Sequence, residues 1–311
     1  MKIVFMGTPD FAVPPLKALI REGYEIAGVF TQPDRPKGRG NKLTPGPVKV
    51  LSLEYGIPVF QPERIRRDGV HELKKLTPDL CVTAAFGQIL SQEILDIPPL
   101  GNINVHASLL PKHRGAAPIA YAIMNGDRTA GVTTMFMDAG IDTGDILLQE
   151  STGIREDETC AELTGRLSVL GGELLIRTVK ELEAGSLKRI PQIEAEMTYD
   201  PMLTKEMGIA DFTKDAIAVR GLINGLNPWP CVTVPFGGER LKLLRAVCCD
   251  GNGTPGEVLC ADPKDGLQIA CGGGAVRILE IQSPGGKRMK PEDYLRGHVI
   301  PVGTDLKEDR P

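Results

Sequence analysis

"GNINVHASLLPKHRGAAP" runs from Gly101 to Pro118 and sets the reading of the whole chain. Its first part is a short, largely apolar run that closes on a polar pair, Asn104 and His106. Its second part is a turn-rich stretch of Pro, Gly and Ala. Side chains two apart on a strand point the same way, so Asn104 and His106 project together from the carboxyl end of the run. The chain has only 4 histidines, and two of them, His106 and His113, fall in this stretch. An isolated histidine at a strand end is ordinarily a hydrogen-bonded core residue. What surrounds this one changes that reading.

Outward from it, other runs read as buried strands: "KIVFMG", "YEIAGVFT", "IPVFQ" and "PDLCVTAAFG" before it and "AGVTTMFMD" after it. Between several of them lie helix-like stretches such as "RIRRDGVHELKKL" and "APIAYAIMNG". Strands that are apolar nearly throughout and alternate with helices indicate a parallel sheet covered on both faces. The long amphipathic pattern "TCAELTGRLSVLGGELLIRTVKELEAG" reads as the last helix of this part. A polar, proline-bearing stretch without a clear period follows and reads as a linker. Beyond it a helical segment, "TKDAIAVRGLINGL", leads into five short β-like runs broken by Gly, Pro and Asp. These predict a small closed or partly closed β-barrel. The expected fold is α/β: a Rossmann-like parallel-sheet domain at 1–188, a linker at 189–206, and an OB-like β-barrel domain at 207–311.

With 311 residues, 41% hydrophobic and 24% charged, the composition is that of a soluble globular protein of about two domains. No apolar stretch approaches the ~20 residues that span a membrane, and the start lacks the features of a signal peptide. The expectation is a cytoplasmic protein. The 7 cysteines are odd in number, form no CxxC pair and often sit in apolar runs, as reduced thiols do. No zinc spacing and no HExxH motif occurs, so no metal is expected. The net charge of -4 disfavours nonspecific coating of nucleic acid, so any such role rests on local patches.

Three further segments bear on chemistry. The first βα turn, "MGTPDF", lacks the glycines of a dinucleotide fingerprint, and Pro9 removes a backbone donor, which argues against nicotinamide or flavin chemistry. "MDAGIDTGDILLQ" carries Asp138, Asp142 and Asp145 around two glycines. One of the three is a candidate base or a partner for His106, and spacing does not choose among them. "TQPDRPKGRGNKLTPGPVK" places Arg35, Lys37, Arg39, Lys42 and Lys49 against Asp34 alone. A long basic loop beside the carboxyl ends of an open sheet, where α/β folds bind ligands, suggests an anionic polymer.

Taken together, "GTPDFA", "FTQPDRPKGRG", "NVHASLLPKHRGAAPI", "MDAGIDTGDIL", "TYDPMLTKE" and "NPWP" resemble, in order and over nearly the whole chain, the methionyl-tRNA formyltransferase family of folate-dependent enzymes. Two departures occur. Phe86 stands where a tyrosine is more usual, and "GIADF" replaces a "RIDW"-like sequence. The resemblance implies Asn104, His106 and Asp142 as catalytic residues and Ser108, Leu109, Leu110 and Pro111 as part of the folate site. It implies a tRNA-binding loop with Arg35, Lys37, Arg39 and Lys42, with Arg39 at the acceptor stem. The implied donor is 10-formyltetrahydrofolate. The implied acceptor is the amine of methionyl initiator tRNA, held in part by the C-terminal barrel. No obligate protein partner is evident and a monomer is expected. An α-amino group of pKa about 7.7–8.0 needs little activation, so no enzyme nucleophile is required. Asn104 and His106 would stabilise the oxyanion, and Asp142 would hold His106 charged and assist proton transfer. The alternatives are a formyltransferase for a sugar-nucleotide or other small amine, a folate hydrolase, and a non-enzymatic RNA-binding protein.

Overall fold

The computed structural model describes residues 1–37 and 42–307. In chain order the first strands and helices are β1 (Lys2–Gly7), α1 (Val13–Arg21), β2 (Glu25–Phe30), β3 (Arg35–Lys37), β4 (Lys42–Thr44), α2 (Pro47–Glu54), β5 (Val59–Phe60), α3 (Val70–Leu76), β6 (Leu80–Ala84), α4 (Gln92–Leu95) and β7 (Asn102–His106). There follow β8 (Arg114–Gly115), α5 (Pro118–Met124), β9 (Thr129–Phe136), β10 (Ile146–Gly153), α6 (Cys160–Glu183), β11 (Tyr199–Asp200) and α7 (Ala216–Gly225). The chain closes with β12 (Val232–Phe236), β13 (Glu239–Cys249), β14 (Val258–Asp262), β15 (Gly266–Ala270), β16 (Ala275–Gln282) and α8 (Pro291–Leu295).

Two compact units emerge. The first comprises 1–115, 131–152 and 164–199; the second comprises 116–130, 153–163 and 200–311. The first is built on a seven-stranded sheet of order β10-β9-β7-β6-β1-β2-β5. The pairs β5–β2, β2–β1, β1–β6 and β6–β7 are parallel. Ile3, Val4, Phe5 and Met6 of β1 are wholly buried, as a strand covered on both faces must be. One face packs Val4, Met6 and Cys81 against Phe30, Leu73 and Ile94. On the other, Gly171 of α6 lets the helix close on Val105 of β7, where an added Cβ would lie 2.8 Å from the valine methyl.

The run "AGVTTMFMD" departs from the expected parallel sheet, because β9 pairs antiparallel with β7. A parallel return needs a crossover laid across the sheet. The helix between them, α5, instead belongs to the second unit and packs on α7, where Gly221 and Gly225 admit the α5 backbone at Ile123, Met124 and Ala120. Strand β10 takes up residues after "DTGD" that a turn-rich sequence had hidden.

The second unit holds a five-stranded antiparallel sheet of order β12-β13-β16-β15-β14. All five β-like runs of the sequence are strands of it. Val232, Val234, Leu243, Val276 and Ile278 form its core with Val219 and Ile223 of α7. Phe212, from the departing "GIADF" segment, is buried in the same core.

Candidate active site

Strand β7 carries Asn104 and His106 to the carboxyl end of the parallel strands, the side on which open α/β sheets bind ligands. They sit opposite Met135 and Thr133 of β9, so both face one side of the sheet. His106 is buried and Asn104 half-buried. Among the described residues nothing hydrogen-bonds the Asn104 amide, and its neighbour in register on β6, Thr83, has a buried hydroxyl that is also without a partner there. Buried polar groups are seldom left alone, so this corner has unused hydrogen-bonding capacity.

His106 is held from both sides. Its Nε2 lies 2.9 Å from the carbonyl oxygen of His113. A carbonyl only accepts, so Nε2 carries a proton in this arrangement. Its Nδ1 lies 3.6 Å from Asp142 Oδ1, an ion-pair separation longer than a hydrogen bond. The other oxygen, Oδ2, accepts the Gly115 backbone N–H at 2.8 Å. Asp142 has a φ of +54°, a left-handed conformation that Asp and Asn tolerate better than most residues.

The three aspartates left open by the sequence have different surroundings. Asp138 Oδ1 accepts from the Gly140 N–H at 3.0 Å and the Thr143 hydroxyl at 2.6 Å, the pattern of a local turn. Asp145 pairs with Arg189 Nε at 2.9 Å. Asp142 alone of the three pairs with His106. Gly144 has no room for a side chain: an added Cβ would lie 1.8 Å from the Phe136 carbonyl oxygen.

Ser108 to Pro111 form a tied turn beside the site. The Ser108 hydroxyl donates to the Lys112 carbonyl at 2.7 Å, and the Ser108 carbonyl accepts from Thr133 Oγ1 at 2.6 Å. The Leu110 N–H donates to Thr133 Oγ1 and its carbonyl accepts from Gln149 Nε2. Leu110 is buried with Met135 and Ile146. Leu109 and Pro111 stay half-buried. Of this segment, those two have side-chain surface left for a ligand.

The basic loop is in part a hairpin. Arg35 pairs with Thr44 and Lys37 with Lys42 across β3 and β4. Arg39 lies outside the described residues. At its base Lys49 Nζ donates to Asp34 and to Gln61, each at 2.7 Å, and Gln61 Nε2 donates to Asp34 Oδ1 at 2.8 Å; the bonds to Asp34 from Lys49 and Gln61 hold its carboxyl below its usual range. The loop's one acid is therefore already engaged by a cation, while Arg35 is exposed. Phe86, where a phenol is more usual, is buried; its backbone carbonyl accepts from the Thr8 hydroxyl and from Gln32 Nε2.

Two residues of this network escaped the sequence reading. Gln192 lies in the stretch whose polar, aperiodic sequence reads as a linker, yet its Nε2 donates to the carbonyls of Asp142 at 2.7 Å and Gly144 at 2.8 Å. Arg114 is 2% exposed and donates to Gln192 Oε1, while its guanidinium pairs with Glu194. The "HRG" of the quoted motif was the available signal for Arg114. Among the described residues no cluster of three or more His, Cys, Asp or Glu is placed to hold a metal ion, and no helix is long and apolar enough to cross a membrane.

Comparison with known proteins gives matches over both units. Residues 1–179 match the family model described as formyl transferase, and 202–299 match formyl transferase, C-terminal domain. The chain is 50% identical to a methionyl-tRNA formyltransferase of Caldanaerobacter subterraneus, over 99% of this chain and 100% of the relative. It is 48% identical to that of Acetivibrio thermocellus, over 98% and 99%. Among solved structures, WlaRD, a sugar 3N-formyl transferase, superposes with a TM-score of 0.69 at 18% identity, covering 92% of this chain and 99% of that one. HypX from Aquifex aeolicus, solved with tetrahydrofolic acid, gives 0.65 at 20% identity, covering 95% of this chain and 47% of that one. These two share the fold.

Proposed function

Since the chain belongs to the formyl transferase family and formylates methionyl-tRNA from a formyl-tetrahydrofolate donor, we propose that Asn104, His106 and Asp142 carry the transfer. The observation that carries this reading is the pairing of His106 with Asp142 beside an Asn104 amide that no described residue holds. The donor supplies an activated formyl carbon. Leu109 and Pro111 offer apolar surface to its ring system, and the half-buried Asn104 amide suits the carbonyl of its formyl group.

The amine of the methionyl ester attacks the formyl carbon as its neutral form. A C–N bond forms to the amine, the carbonyl oxygen becomes an oxyanion, and the bond from that carbon to the folate nitrogen then breaks. Asn104 donates an amide N–H to the oxyanion. His106 donates a second hydrogen bond, for which its Nε2–H leaves the His113 carbonyl or is shared with it as the substrate enters. Asp142 balances the charge on a ring that faces oxygen acceptors through both nitrogens. The proton lost by the amine ends on the departing folate nitrogen, and Asp142 assists its passage.

The acceptor is the initiator form of the tRNA. Arg35, Lys37, Arg39 and Lys42 meet its acceptor stem through the hairpin of β3 and β4. The functional division is a catalytic part at 1–188, a linker at 189–206 and a tRNA-holding part at 207–311. The protein works in the cytoplasm as a monomer. The deciding experiment offers charged initiator tRNA, charged elongator tRNA and a sugar-nucleotide amine side by side, with 10-formyltetrahydrofolate as donor. Preference for the initiator tRNA by orders of magnitude supports the reading. Equal use of the small amine overturns it.

A further inference from the structure

We infer that Gln192 is a positioning residue for Asp142, so that the segment after α6 completes the active site as well as connecting it. The inference rests on the reading of Asp142 given above. Asp142 sits in a left-handed conformation with a φ of +54°, which an L residue adopts at some cost, smaller for Asp than for most, and which its surroundings help to hold. Three contacts hold it here. The Gly115 N–H fixes the carboxylate at 2.8 Å, and the two N–H groups of Gln192 fix the main-chain carbonyls of Asp142 and Gly144 at 2.7 and 2.8 Å. One amide thus spans both sides of Thr143 and sets the curve of the loop.

Gln192 is itself aligned. Arg114 Nε donates to its Oε1 at 3.1 Å, which leaves the amide nitrogen pointing at the two carbonyls. Arg114 is buried, and Glu194 pairs with its guanidinium at 2.9 Å. The neighbouring backbone adds two anchors: Ile190 and Ile146 exchange both backbone hydrogen bonds, and Arg189 pairs with Asp145 and lies over the Phe136 ring at 4.7 Å. Residues 189–194 therefore strap the aspartate loop along its length. Gln192 is the one side chain in the strap that bonds to the backbone of Asp142. It touches neither His106 nor, in the proposed reaction, the formyl group, so its effect passes through the placement of Asp142.

The test uses the full chain with methionyl initiator tRNA and 10-formyltetrahydrofolate. Gln192→Glu keeps the shape and the Arg114 bond but, as a carboxylate, donates to neither carbonyl; Gln192→Ala removes both. Each should lower kcat by about 10–100-fold, the scale of a small misplacement in an active site, with KM for both substrates within about twofold. In an Asp142→Asn background the same changes should cost less than about threefold, because the group they position is already disabled. Thermal unfolding of Gln192→Ala, followed separately, shows whether the variant is folded. Parent-like kcat in both variants overturns the inference. So does an undiminished further loss in the Asp142→Asn background, which would mark a structural role. If Asp142→Asn alone leaves kcat unchanged, the reading of Asp142 falls, and Gln192 with it.

Discussion

Asp142→Asn separates the charge of this carboxylate from its shape. The amide oxygen can still accept the Gly115 N–H, and asparagine tolerates the left-handed backbone, so the loop keeps its course. A neutral NH2 group then stands where the carboxylate oxygen faced His106 Nδ1 at 3.6 Å, so the negative charge beside the ring is gone. A positive charge developing on the ring in the proposed reaction would have no carboxylate to balance it. Two unit charges 3.6 Å apart interact by about 4–5 kcal/mol at an effective dielectric of about 20. Most of that is felt as charge develops, so kcat should fall by about 10²–10³, comparable to the loss of one oxyanion donor. Thermal stability should barely move. Asp142→Ala, by contrast, loses the Gly115 bond and carries a left-handed penalty of about 1–2 kcal/mol. Its melting temperature should drop by about 2–8 °C. The assay is single-turnover formylation of methionyl-tRNA beside calorimetry of each variant. Asp138→Asn serves as a control and should stay within about threefold, since an amide oxygen can accept both turn bonds. If Asp142→Asn keeps kcat within about threefold, or Asp138→Asn loses as much, the assignment of charge to Asp142 is refuted.

Other measurements probe other parts. Asn104→Ala or His106→Ala should cut kcat by about 10²–10³ and leave tRNA binding unchanged in a filter assay; normal turnover would remove that residue from the mechanism. Arg39→Ala should lower kcat/KM for tRNA by about 10–100-fold with folate affinity intact, and Arg39→Lys should recover only part of it for want of the planar fork. Glu162, at the start of α6, is pushed up by burial, but hydrogen bonds from the Thr159 N–H, Arg245 and the Thr159 hydroxyl outweigh this and hold its carboxyl below the usual range. A depressed carboxylate stabilises above its unfolded pKa and loses that effect as pH falls through its folded value. Urea midpoints should therefore decline below about pH 4.5, and less steeply in Glu162→Gln; identical slopes would dismiss the pair as a pH-dependent support.

The sequence made some features legible because local pattern and tertiary context agree there. The run "KIVFMG" is apolar without alternation, and it is buried on both faces; the five β-like runs of the C-terminal part are bounded by Gly, Pro and Asp, and each is a strand. The direction of β9 was not legible, because nothing within "AGVTTMFMD" records that the preceding helix belongs to the second unit and packs on α7. The hairpin of β3 and β4 was hidden by a composition of Pro, Gly and Lys that reads as loop. At the site, period-two geometry placed Asn104 and His106 together. Choosing Asp142 over Asp138 and Asp145 on residues alone required the fold, since the three differ only in which partner reaches them.

Gln192 shows why such a choice lies beyond spacing. In the proposed reaction, a transfer between two substrates with no nucleophile of the enzyme's own, the rate depends on where a few donors and one charge are held. Here the charge stands on a loop whose conformation is not a local minimum for most residues, and its own sequence does not fix it. The restraint comes from Gly115, 27 positions earlier, and from Gln192, 50 positions later. The second lies in a segment whose polar, aperiodic texture reads as a connection. Polar texture is what a strap needs when it must donate to bare carbonyls and accept from a buried arginine. A segment can thus lack period and still have fixed structure, because side-chain amides replace the ladder that a strand or helix would supply.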